Sequence, residues 1–480
     1  MNSRNKNSAK LFWILASSLL SAHVIWTLYI FLSNAELAEK AKALTNENFF
    51  FISPCCQVIN ELEKISTAFY SAVFFTFTTG VFFASSGIIA AFCYMKFKGK
   101  LKSITSISYV LMLISAGYLL GEYFANIFVT AASFFITLRL KPFFNLAKIY
   151  ILPFVLILLI PFLYNGNSFF SDFRDKVLLT NSFGKALNSF YYKYTLYPAE
   201  IIKSPLKKQL KTAKIEGFDS KEKTQIESIL KKYNYFPLEN KNIKKDVEIK
   251  KKQKNIIVKT NKKELNFNFK NFISDFDKTI SKIFEKQNSF LKKTTITGFV
   301  VFLPAIIVFS LISLFNFFFT FFFKKYISKS LSSVLTAVLI YTIFLPVFNT
   351  SFNKNLTIEQ NLKSADRFTR IDTLKYIYQN DIIMNISGKN LNSEYDAERY
   401  WAVLTFIIRT PEDIDKIIEK TNDKNINVRC KAYQRLGTIP ARNYKLYKKA
   451  SEFLKSDYQK IKDWYVQWYA FNYAKQILLR

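Results

Sequence analysis

From Leu11 to Leu32 the chain runs 22 residues without an Asp, Glu, Lys or Arg. About 20 helical residues cross the hydrocarbon of a bilayer, so this run alone is long enough to span one. It is not isolated. Thr67–Met95, Ile104–Leu138, Ile149–Tyr164, Ile296–Phe323 and Leu331–Phe348 are comparable, broken inside only by Glu122. The 480 residues are 50% hydrophobic, yet 68 Lys and Arg stand against 35 Asp and Glu. Both facts hold because charge fills the segments between the runs, the blockwise pattern that two solvents select. A soluble chain of this length interleaves apolar and polar residues at helix or strand period.

Orientation follows from the short basic loops, since Lys and Arg are retained in the cytoplasm. Four such clusters exist: Arg4/Lys6/Lys10, Lys96–Lys102, Arg139/Lys141/Lys148 and Lys324–Lys329. If Ile104–Leu138 turns near Glu122, all four are cytoplasmic and the chain crosses seven times. The N-terminus is then inside and the C-terminus outside. If that stretch is one helix there are six spans, the last two clusters lie outside and both large polar segments lie inside. The charge rule favours seven. The first run is too long for a cleaved signal, and no small-residue cleavage site follows it, so it is expected to remain as an anchor.

The polar interval 166–294 keeps apolar periodicity. Asp219-Ser220-Lys221-Glu222 has the form of a capping box, followed at helical spacing by Ile226, Ile229, Leu230 and Tyr233. Val247/Ile249, Ile256–Val258 and the alternation Leu265, Phe267, Phe269 predict strands. A small α+β domain is expected. Before it, Phe190–Tyr194 and Tyr197 form an aromatic cluster of the type that settles at a membrane interface.

After Phe348 a repeat emerges. Asp423-Lys-Asn-Ile-Asn-Val428-Arg429-Cys-Lys-Ala432 continues to Leu436-Gly437, and Arg399/Ala402/Phe406 and Arg370/Thr373/Ile377 stand 30 and a further 29 residues upstream. Val466, Gln467, Ala470 and Ala474 form a looser fourth copy. The unit resembles the second helix of a HEAT repeat, over roughly Thr357–Arg480. It departs from the pattern where Thr373 replaces Ala and Gln467 replaces Arg. The resemblance implies stacked helix pairs with an extended surface for protein partners.

The expected architecture is therefore a membrane all-α helical bundle with a small α+β extramembrane domain and a C-terminal α-solenoid, HEAT-like in kind. Its parts are 1–165 with four or five spans, 166–294, two transmembrane helices in 295–350, and 357–480. A membrane-anchored scaffold recruiting a protein partner is the leading expectation. Transport, or assembly of a membrane complex through the bundle, is the alternative. Trp464, Tyr465, Trp468 and Arg429 are candidate partner-binding residues, and Glu122 and His23 a candidate intramembrane polar site. No phosphate loop, nucleophile elbow or metal-protease motif occurs, and His23 is the only histidine. No enzyme, cofactor or metal is expected. The adjacent Cys55 and Cys56 read as incidental. A net charge of +33 invites nucleic acid, but the lysines carry no stacking-aromatic signature, so anionic lipid is the expected target. The expected location is a bacterial inner membrane, N-terminus cytoplasmic and repeats periplasmic.

Overall fold

The computed structural model describes residues 3–47, 57–100, 102–104, 109, 124–140, 169–194, 210–233, 235–239, 243, 245–252, 255–260, 264–274, 298, 303–319, 321–323, 325–348 and 352–478. Glu122, Cys55, Cys56 and the run Ile149–Tyr164 lie outside them, as does the expected turn at Glu122. Two compact units form: Met1–Phe143 with Tyr194–Leu303, and Phe144–Lys193 with Pro304–Arg480. The segment after the fourth apolar run falls in the second unit with the C-terminal helices.

In the first unit, α1 (Ser3–Asn46) outlasts its apolar run by 14 residues and is about 66 Å long at helical rise. After α2 (Gln57–Leu62), α3 (Ile65–Phe75) continues through a π turn, Thr76–Gly80, into α4 (Val81–Lys96). Trp13–Asn46 and Ile65–Lys96 are long and apolar enough to cross a bilayer. They run antiparallel: Lys42 pairs with Glu63, the Trp26 and Phe75 rings stack at 4.7 Å, and Ala22 faces Gly80. Helix α5 (Phe124–Leu140) packs on α4 and α1.

These helices are polarised inside out. On α1, Leu20, Val24, Leu28 and Leu32 are exposed while Ser18 and Asn34 are buried. On α5, Phe128 and Phe135 face outward and Asn126, Thr130, Ser133 and Thr137 inward. The three hydroxyls are satisfied within their own helix, each donating to the carbonyl four residues earlier at 2.7–2.9 Å. Small inward residues let the backbones of neighbouring helices approach.

The tail of α1 carries the α+β domain. Lys40 reaches Asp246 at 3.3 Å, and Asp246 accepts from the Thr212 amide at 2.8 Å. The domain is a five-stranded sheet in the order β2-β1-β3-β4-β5, formed by β1 (Lys211–Glu216), β2 (Tyr235–Pro237), β3 (Val247–Lys252), β4 (Asn255–Lys259) and β5 (Glu264–Asn268). β1 pairs parallel with β2 and β3, and β3–β5 are antiparallel. Helix α8 (Ser220–Lys232) is the crossover between β1 and β2, and α9 (Phe269–Ser274) follows β5. The face bearing Val247, Ile249, Ile256 and Val258 packs on Ile226, Leu230 and Phe272. Asp219 caps α8 by accepting from the Glu222 amide, but the Glu222 carboxylate turns to Lys251 at 2.6 Å, so half of the expected box forms. Phe269 begins α9 and is not the last strand residue that its alternation suggested.

In the second unit, α10 (Leu303–Phe319) and α11 (Lys325–Phe348) are apolar, and α11 repeats the inversion. It buries Ser328, Ser332 and Thr336 and exposes Leu331, Val334, Leu335 and Val338. Eight helices follow: α12 (Ile358–Leu362), α13 (Arg367–Gln379), α14 (Gly388–Leu391), α15 (Asp396–Thr405), α16 (Pro411–Lys420), α17 (Ile426–Gly437), α18 (Tyr444–Asp457) and α19 (Trp464–Leu478). α13, α15, α17 and α19 form one row, each packed on the next, and α16 and α18 begin a second row against α17 and α19. Gly437 closes α17 because a Cβ there would come within 2.8 Å of the Tyr473 backbone on α19.

Candidate functional site

The row α13–α15–α17–α19 is held by three arginines at the repeat positions. Arg370 grips Glu398 with two nitrogens at 3.0 and 2.9 Å, and Arg399 grips Asp423 at 2.7 and 2.9 Å. Each also donates Nη1 to the carbonyls six and five residues before it, Ser364/Ala365 and Ser393/Glu394. Arg429 reaches Asp463 at 2.8 Å. Paired guanidinium–carboxylate bonds fix direction as well as distance, so these contacts set the spacing between successive helices. The cation at a fixed repeat position thus has a structural use, and Arg429 is engaged within the chain.

Across the same row lies a segment of which the sequence reading singled out only the aromatic end, Phe190–Tyr194: α6 (Phe169–Lys176), a 3-10 turn at Leu178–Thr180, and α7 (Ser182–Tyr194). Helix α6 also packs on α11. Asp172 pairs with Lys375, and Lys176 with Asp372 at 3.0 Å. The pairs cross in opposite chain directions and are buried on both sides, all four side chains being at most 9% exposed. Asp175 accepts from the Trp401 indole at 2.7 Å and from Arg174 Nε at 2.7 Å. The Arg174 guanidinium lies 4.0 Å from the Tyr400 ring centre. Lys185 reaches Asp396 at 3.5 Å, and the Tyr192 ring meets Tyr465 at 4.9 Å. Three helices of the row, α13, α15 and α19, therefore face this segment through charge or aromatic contact.

The candidate residues fall as follows. Trp464 is buried in the terminal core; Tyr465 stacks against Tyr192, Trp468 and Tyr469; Trp468 is half-buried. Tyr465 of this aromatic end thus meets Tyr192 of α7. His23 shares a hydrogen bond of 3.0 Å between Nδ1 and the Thr76 hydroxyl at the π turn, with its ring edge-on to Phe69. Glu122 is outside the described residues. Cys430 is buried and its thiol is pushed up by burial. Among the described residues no group of three His, Cys, Asp or Glu is arranged to hold a metal ion. The one signal of the α6 docking is its density of charge, Asp172-Phe-Arg174-Asp175-Lys176, directly after an apolar run.

Lys431 sits at the centre of this face, its ammonium 5.6 Å from the Tyr400 ring and 4.9 Å from the Tyr469 ring. Burial, opposed by Cys430 and reinforced by Arg174, brings it down to about 8. The unfolded chain therefore holds this proton more tightly, and stability should rise between about pH 8 and 10. Above about pH 10 the sign reverses, because burial raises Tyr400, Tyr465 and Tyr469 and only the unfolded chain releases their protons. Melting of the full chain followed by Trp fluorescence should show a rise of a few degrees and then a fall. In Lys431→Met the rise should vanish and the fall remain.

Set against protein-family models, curated proteins and solved structures, the chain matches none of the three.

Proposed function

We propose that this chain is a membrane-anchored scaffold that recruits a protein partner through its C-terminal helical array. The observation that carries the reading is the self-docked segment: buried charges bind α6, which follows the apolar runs directly, to the row α13–α19. That ties the array to the bilayer and leaves the second row open. On that second row Tyr444 is 71% exposed, beside exposed Arg442, Lys445 and Lys448, a basic and aromatic patch suited to an acidic protein segment. The matching carbonyl bonds of Arg370 and Arg399 support the HEAT-like reading of the repeat. The inside-out polarity of α1, α5 and α11 supports residence in a bilayer.

Helix α1 also bears on orientation. It is one continuous helix with Arg4, Lys6 and Lys10 at one end and the α+β domain docked at the other, so domain and N-terminus lie on opposite faces. With the basic end inside, the α+β domain is outside, as in the seven-span arrangement of a bacterial inner membrane. A membrane-impermeant crosslinker applied to spheroplasts should join the wild-type chain to a specific protein. The adduct should disappear in the Tyr444→Ala/Arg442→Glu variant. An adduct unchanged by that variant, or one formed only after lysis, would overturn the reading.

Transport through the bundle has one observation in its favour, the π turn Thr76–Gly80 bonded to His23, since such turns often mark functional positions in helices.

A further inference from the structure

Helix α7 is amphipathic in the wrong sense for a protein surrounded by water. Gly184 and Asn188, four residues apart, are buried, Gly184 against the backbone of Leu178 in the preceding turn. Phe183, Leu187 and Tyr191, at the same spacing, point out, with Phe183 79% exposed. The same inversion occurs on α1, α5 and α11, all apolar helices. The 13 residues of α7 contain Lys185 and Lys193 and no Asp or Glu. Its length is too short to cross a bilayer but suits a helix lying along one.

One contact places this segment beside an apolar helix: the preceding α6 packs on α11 in the same unit. Aromatic rings with polar tips, such as Tyr191, favour the headgroup layer, and the absence of acidic side chains on α7 removes repulsion from anionic lipid.

We infer that α7 is an interfacial helix whose Phe183–Leu187–Tyr191 face lies in the headgroup–acyl boundary of a phospholipid bilayer. The contact rests on the membrane reading above and adds a specific lipid-binding surface to it. It gives the C-terminal array a second attachment to the membrane besides α10 and α11. Because α7 also faces Tyr465 through Tyr192, the lipid surface and the row share one helix.

The test places the photocrosslinking residue benzoylphenylalanine at 183 in the full chain, reconstituted in vesicles of phosphatidylethanolamine and phosphatidylglycerol. Parallel samples carry it at Leu28, exposed on α1, and at Ile383, exposed in the loop after α13. Irradiation should give phospholipid adducts at 183 and 28, read as mass shifts, and none at 383. Lipid adducts at 28 without any at 183 would overturn the inference and leave membrane residence standing. A dimer-sized adduct at 183 would overturn it in favour of a second copy. No lipid adduct at either position would remove the membrane reading itself.

Discussion

Lys375→Glu should cost the C-terminal unit on the order of 3–5 kcal/mol, and adding Asp172→Lys should return most of that loss. The single variant places a second carboxylate against buried Asp172 and near Asp372, leaving charges without partners in a site from which water is excluded. Breaking one side of a buried pair incurs the full desolvation penalty, whereas an exposed pair is worth about 0–1 kcal/mol. Lys416→Glu, which breaks the exposed pair with Asp413, is the matched control and should fall in the lower range. Urea unfolding followed by Trp401 reads the relevant contact, since its indole donates to Asp175 on α6. Equal losses in the control and in Lys375→Glu would show that the α6 contact is solvated and contributes little.

The two ion pairs are better understood as fixing register than as adding net stability. Residues 172 and 176 are one helical turn apart, and so are 375 and 372 in the reverse direction; sliding α6 by a turn leaves two buried charges unpaired. Replacing the Asp172–Lys375 pair by Leu and Met should then be close to neutral in unfolding free energy. The discrimination against other registers would be lost with it. Arg174 on Tyr400 and Asp175 on Trp401 extend the same logic to α15 with groups that cannot be exchanged by a one-turn shift.

Much of this fold can be read locally and some of it cannot. The apolar runs give α1, α3–α4 and α10–α11 because long uncharged stretches carry a length signature of their own. Period-two alternation gives β3, β4 and β5. Arg370, Arg399 and Arg429 announce their repeat by spacing alone. β1 escapes because Lys211-Thr-Ala-Lys-Ile-Glu has little alternation, both faces being engaged at its start. The π turn escapes because Thr76-Phe-Thr-Thr-Gly80 suits an ordinary helix as well, and the extra residue is decided by packing on Ala22 and His23. The docking of α6 escapes for a different reason: Asp172 and Lys375 stand 203 residues apart, and complementary charge at that distance has no local period. For the same reason the contact of Tyr465 with Tyr192 leaves no local signal. Composition shows that rings are present, while only the path of residues 182–194 shows what faces them.

Gly87→Leu should prevent α4 and α5 from packing, and with them the first unit. A Cβ at Gly87 would run into the Thr130 carbonyl and lie 3.1 Å from both the Phe134 amide nitrogen and the Ser133 Cβ. Two of these three neighbours are backbone, so side-chain repacking cannot make room and the helices must separate. Overpacking of this kind costs about 1–3 kcal/mol even for modest added volume, and a leucine adds three carbons beyond the Cβ that already clashes. Nothing in the polar stripe offsets the loss, because Thr130, Ser133 and Thr137 bond to carbonyls of their own helix. Ile89→Leu, at a half-exposed position two residues on, leaves the α4–α5 contact untouched and should be silent. Gly99→Ala separates space from backbone strain, since Gly99 has φ +55° with nothing within 4 Å; only the left-handed penalty of about 1 kcal/mol applies. The expected order of detergent melting temperatures is therefore Ile89→Leu equal to wild type, Gly99→Ala slightly lower, and Gly87→Leu without a cooperative transition. A Gly87→Leu protein melting with the wild type would mean that α4 and α5 are not in backbone contact.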